Sequence, residues 1–116
     1  RLRGTVVTRS GEELSGWIRW DADEEYSWEL LDGSDRDVVF DIEFGHIERI
    51  ERLSGRSAEV TLRDGRVFEL EDSNDVDEDN KGIFVQVDDT GGPQEGWLLV
   101  SWHDFREVRF VHGPGL

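Results

Sequence analysis

TVVTRSGEELSGWIRWDADEE (residues 5–25) and EVTLRDGRVFELEDSNDVDED (residues 59–79) are two copies of one pattern. Each opens on an alternating run and turns at a glycine, Arg9-Ser10-Gly11 in the first and Arg63-Asp64-Gly65 in the second. Each then alternates again and runs into an acidic loop, so that Asp21 and Asp23 fall opposite Asp75 and Asp77. The correspondence resumes downstream between FDIEFGHIERIE (residues 40–51) and LLVSWHDFREVRF (residues 98–110), where Phe44, Ile47 and Ile50 match Trp102, Phe105 and Val108. A spacing of three breaks the period of two that a continuous strand requires. It predicts a strand, a single tight helical turn and a short closing strand.

The rest of the chain alternates in the same way. Leu14, Ile18 and Trp20 share one parity, as do Tyr26, Trp28 and Leu30. Val38, Phe40, Ile42 and Phe44 face one way, with Asp41 and Glu43 opposite. These are half-buried strands of an antiparallel sheet. No segment keeps apolar residues at helical spacing over three turns. Turns are predicted at Ser10-Gly11, Asp32-Gly33, Asp64-Gly65 and Gly91-Gly92-Pro93. Trp20, Trp28, Phe40, Phe44, Trp102 and Phe105 fall on core parity.

On these residues each half resembles a small Sm-like or SH3-like β-barrel repeat of the kind found in bacterial proteins. The shared features are a hairpin at a Gly turn, a long bent second strand, two further strands, a one-turn helix and a last strand. The resemblance implies that Gly16 marks the bend of the second strand; the second half departs, with Leu70 at the matching position. The Sm family's RNA-binding role does not carry over, because the positions that would face RNA show no basic or aromatic motif. The expected fold is therefore all-β: two pseudo-repeated antiparallel barrels, residues 1–53 and 54–116, of about five strands each. Barrels this small are marginal alone, so the two are expected to pack as one unit over an apolar interface.

The composition narrows the function. Among 116 residues, 28 acidic against 13 basic side chains give a formal charge of −15. Nucleic acids and anionic membrane surfaces attract the opposite sign. No apolar run is long enough to span a bilayer. Without cysteine there is no disulfide and no thiolate metal site. Cations, basic proteins, neutral ligands and further copies of the chain with ions between them remain as partners. The chain starts at Arg1 and already reads as a strand, so a processed or trimmed piece is expected, from which a removed signal peptide would leave no trace.

SNDVDEDNKGIF (residues 73–84) concentrates carboxylates that repel one another unless a cation sits among them. It is either a solvated loop tip or a hard-cation site. Asp75, Asp77 and Asp79 stand at alternate positions, as in calcium loops, followed by Asn80 and the backbone oxygen of Lys81. Gln86 stands where an EF-hand places its closing glutamate, so any site needs distant ligands. The matching loop offers Asp21 and Asp23, followed by Glu24 and Glu25, for a second ion or a shared one; the alternative is an exposed tip that repels edge pairing. Ordinary turn chemistry accounts for Asp32, Asp35 and Asp37. Trp17 has parity opposite to Ile18 and is expected as an exposed partner contact. His46, His103 and His112 form no recognisable catalytic pairing, and no phosphate-binding loop is present. The expectation is a non-enzymatic, secreted structural module that binds Ca²⁺ and self-associates through edge strands into a homo-oligomer or filament. The alternative is a monomeric ligand- or protein-binding module of a larger protein.

Overall fold

The computed structural model describes residues 1–21, 24–88 and 96–112. Its regular elements are β1 (Arg3–Thr8), β2 (Glu13–Trp20), β3 (Leu30–Asp35), β4 (Val38–Glu43), a 3-10 turn (Phe44–His46), β5 (Ile47–Ser54), β6 (Ser57–Leu62), β7 (Val67–Glu71), β8 (Ile83–Val87), β9 (Leu98–Val100) and β10 (Phe105–Phe110). The fold is all-β, as the alternation predicts.

All ten strands join one open antiparallel sheet in the order β4-β3-β7-β6-β5-β10-β1-β2-β8-β9. At its centre β5 meets β10, with Ile50 opposite Val108 and both fully buried. Outward from this pair, one side runs β6, β7, β3, β4 and the other runs β1, β2, β8, β9. Each side therefore takes one hairpin from the first part of the sequence and one from the second. Two connections cross between the sides, β2 to β3 and β7 to β8.

A flat sheet of this width cannot give its strands a common core. Here buried or half-buried side chains from every strand enter one apolar cluster, so the sheet coils over its own concave face. Trp20 sits at the centre of it. Its ring centroid lies 5.4 Å from Phe105, 6.1 Å from Trp102 and 6.2 Å from Phe44.

The two glycine turns make corresponding bonds. Gly11 N donates to Thr8 O and Arg9 N to Asp104 O; Gly65 N donates to Leu62 O and Arg63 N to His46 O. Gly11 and Gly65 have φ of +92° and +93°, values that favour glycine. At Gly16 the reason is space: a Cβ there would lie 2.0 Å from the carbonyl oxygen of Gln86 on β8. Leu70, at the matching position, finds its room from Gly33 on β3, where a Cβ would come within 2.8 Å of the Leu70 Cβ.

Several local expectations are corrected. Asp32-Gly33 lies inside β3, paired with Asp41 and Phe40, and the chain turns at Arg36-Asp37 instead. Trp28 is 66% exposed, stacked on Tyr26 rather than placed in the core. The cause is a turn over Tyr26–Glu29, closed by Glu29 N to Tyr26 O and by the Glu29 carboxylate, which accepts from Glu25 N and Tyr26 N. It resets the alternation, so Leu31 rather than Leu30 faces inward. The tight helical turn forms at Phe44–His46; at the matching position Ser101–Asp104 is a hydrogen-bonded turn closed by the Ser101 carbonyl and hydroxyl. Gly91-Gly92-Pro93 lies outside the described residues.

Candidate metal centre

Both crossing connections run into one cluster of carboxylates. β2 ends at Trp20, and the chain doubles back at once: Trp20 N donates to Glu24 O, and Glu24 N to Trp20 O. Asp21 adopts a positive φ of 53°, a conformation that aspartate tolerates better than most residues. This tight reversal brings Asp21 and Glu24 to the same place.

The second connection supplies Asp75. Its backbone is held by Ser73, whose Oγ accepts from Asp75 N and whose carbonyl accepts from Val76 N, and Val76 is fully buried. The Asp75 carbonyl accepts two hydrogen bonds at 2.9 Å, from Trp20 Nε1 and from Asn80 Nδ2. The central core tryptophan thereby grips the loop from beneath. One Asp75 carboxylate oxygen accepts from Asp32 N on β3 at 2.8 Å.

Asp21, Glu24 and Asp75 each bring an oxygen within 4.8 Å of the others. Oxygens that share a calcium ion at 2.3–2.6 Å lie no more than about 5 Å apart, so the spacing suits one such ion. Asp21 and Asp75 are 1% and 3% exposed. The Asp21 oxygens accept from Lys81 N at 2.6 Å and Asn74 Nδ2 at 2.7 Å, donors carried by the β7–β8 connection. These bonds orient the Asp21 carboxylate.

Buried carboxylates this close cannot all be charged without a cation or a proton between them. Burial pushes the Asp75 carboxyl up to about 7; the bond from Asp32 N opposes that rise, and the negative charges of Asp32 and Asp21 add to it. The cluster therefore favours a proton near neutrality, and its spacing could hold a metal ion in the proton's place. A second raised carboxyl is that of Asp32 on the exposed face of β3, which hydrogen-bonds its cross-strand partner Asp41 and rises to about 6.

The residues expected from sequence separate into different roles. Asp75 and Asp21 come together. Asp77 accepts from Asp79 N and so shapes the loop, while Asp79 is exposed. Asn80 is buried and spends its side chain on the backbone, donating to Asp75 O and accepting from Gly82 N. Lys81 contributes its N–H to Asp21. Asp23 lies outside the described residues. Glu24, noted in the sequence only as part of an acidic run, is the third member. Its signal was the loop register, since a reversal over residues 20–24 places it beside Asp21.

Trp17 is half-buried rather than open. The guanidinium carbons of Arg1 and Arg3 lie 5.3 and 5.2 Å from its ring centroid. Arg19 covers Trp97 at 4.5 Å. Among the described residues no helix is long and apolar enough to cross a membrane. Comparison with protein-family models, curated proteins and solved structures finds no match to this chain.

Proposed function

We propose that this chain is a non-enzymatic β module locked by a calcium ion at Asp21, Glu24 and Asp75, and that it associates with further copies through its two open sheet edges. The observation that carries the reading is the placement of the cluster. Three carboxylates meet where both connections cross between the sides of the sheet. A cation held there ties the β2–β3 and β7–β8 connections to each other, and Asp32 N ties Asp75 to β3.

The architecture is read as a duplicated five-stranded Sm-like unit whose halves have exchanged strands. One unit is β1, β2, β8, β9 and β10; the other is β6, β7, β3, β4 and β5. The corresponding bonds of the two glycine turns and the pairing of Ile50 with Val108 support it. The edges β4 and β9 expose Val38, Val39, Leu98 and Leu99, apolar side chains on strands that carry unpaired backbone groups. Calcium would lower the repulsion between copies charged at −15. An extracellular location fits the weak affinity expected of a three-carboxylate site, on the order of 10⁻⁴ to 10⁻³ M.

A second reading, a monomeric module that accepts an extended segment of another protein, is favoured by two corresponding grooves. One of 670 Å³ lies between β4 and the Arg63–Arg66 turn, and one of 580 Å³ between β9 and the Arg9–Glu12 turn. Size-exclusion chromatography with Ca²⁺ and with chelator separates the readings. Larger species that need calcium support assembly; a monomer in both conditions supports the second reading.

A further inference from the structure

The ten strands pair antiparallel throughout, and ten is an even number, so the two edge strands, β4 and β9, run in opposite directions. A second copy set beside the first in the same orientation brings its β4 antiparallel to the first copy's β9. The alternation of the sheet then continues across the contact. Pairing like edge with like instead turns the second copy about a twofold axis and closes a dimer.

The two edges differ in charge. Along β4, Phe40 and Ile42 pack against the core cluster, and Val39, Asp41 and Glu43 alternate with them on the outer face. Asp32 stands opposite Asp41 on β3, a third carboxylate just behind the edge. Two β4 strands brought together antiparallel, with their outer faces on one side, set these carboxylates against their own counterparts. Like charges facing each other across strands are destabilising. β9, by contrast, is Leu98–Val100 and carries no charge. Leu99 lies opposite Phe84 on the outer face and is 57% exposed, and Val39 is 71% exposed. Set against β9, the carboxylates of β4 meet no charge on the facing strand, and Val38, Val39, Leu98 and Leu99 are covered together. A β9–β9 pair covers only the leucines and leaves the valines of both copies open.

We propose that copies of this chain join head to tail, β9 of one beside β4 of the next, so that association grows beyond two copies. The proposal rests on the reading that the open edges associate, and it names the partner of each edge: the opposite edge of a second copy. The contact is heterologous, and every interior copy uses both of its edges. The carboxylates of β4 act here as a specificity device, because they exclude the pairing of β4 with itself.

Two variants with one edge blocked each provide the test. Val39→Glu places a further charge on β4, and Leu99→Glu places one on β9. Wild type, each variant alone and an equimolar mixture of the two are compared with Ca²⁺ present, by sedimentation velocity and by native mass spectrometry, which tells the variants apart by mass. The expected result is wild-type species larger than a dimer, a monomer for each variant alone, and a mixed dimer that stops at two when the variants are combined. If either variant loses its cooperative melt, Val38→Glu or Leu98→Glu on the same edge takes its place. Dimers of one variant alone, or a mixture that stays monomeric while wild type assembles, overturn the head-to-tail contact and leave the edge-association reading standing. Assemblies that survive in both single variants place the contact away from the edges, and a wild type that stays monomeric with calcium removes that reading together with this one.

Discussion

Asp75→Asn should flatten the pH dependence of stability and abolish its response to calcium. In the folded chain burial lifts the Asp75 carboxyl from 3.8 to about 7. A carboxyl raised above its unfolded value favours folding in its neutral form. That contribution is complete below about pH 4 and is lost as pH rises through about 7. A rise of this size corresponds to about 4 kcal/mol, and solvent at the edge of the loop reduces it to about 2. About two thirds of that, about 1.3 kcal/mol, falls between pH 5 and pH 8, a drop in Tm of about 5 °C for a chain of this length without metal. Calcium takes the place of the proton, so at pH 8 a hundredfold excess over Kd should return about 2.7 kcal/mol. At pH 5 the proton competes and the gain should shrink. The amide introduced by Asp75→Asn keeps an acceptor for Asp32 N but carries no charge, so the variant should lose both effects. The assay is thermal melting of wild type and variant at both pH values, with calcium, magnesium or chelator, read as the difference between the two proteins. Equal pH slopes in the two proteins, or a calcium gain that the variant retains, would refute the reasoning and leave only general screening of the −15 charge.

Other substitutions test the frame around the centre. Phe44→Ala and Trp102→Ala, at corresponding core positions, should each cost about 3–5 kcal/mol in denaturant unfolding; less than about 1 kcal/mol for either would break the correspondence at that end. Gly16→Ala forces a Cβ to within 2.0 Å of Gln86 O, and chemical denaturation should register about 2 kcal/mol or more as β2 and β8 separate. Val39→Lys with Leu99→Lys places charge on both open edges and should remove calcium-dependent oligomers while leaving Tm nearly unchanged. Oligonucleotides should give no salt-sensitive shift, because the net charge opposes phosphate.

The alternation and the glycine turns made the strand content legible, and the three-residue spacing of Phe44, Ile47 and Ile50 marked the tight turn before β5. The order of the strands was not legible. A two-residue period fixes which side of a strand faces inward but carries no information on which hairpin lies beside it, and here β3 pairs with β7 rather than with β2. The parity of β3 was lost to the Tyr26–Glu29 turn, whose closure by the Glu29 carboxylate leaves no apolar trace in the sequence. At the acidic loops the sequence marked Asp21 and Asp75 as counterparts. It grouped Asp75 with Asp77 and Asp79 because they are neighbours along the chain, whereas Trp20 and Asn80 hold the Asp75 backbone so that its side chain turns toward Asp21 and Glu24. Local spacing records a loop's own geometry and is silent about a partner loop more than fifty residues away.

Terbium luminescence tests the central claim most directly, since terbium occupies calcium sites and is sensitised by a nearby indole. Trp20 Nε1 donates to the Asp75 carbonyl at 2.9 Å, so an ion held by Asp21, Glu24 and Asp75 lies close to that ring. Tryptophan-excited emission should saturate at one ion per chain, fall on addition of calcium, and disappear in Asp75→Asn and in Asp21→Asn. Emission that rises without saturation, or that survives both substitutions, would place the ions elsewhere on the acidic surface and contradict the account.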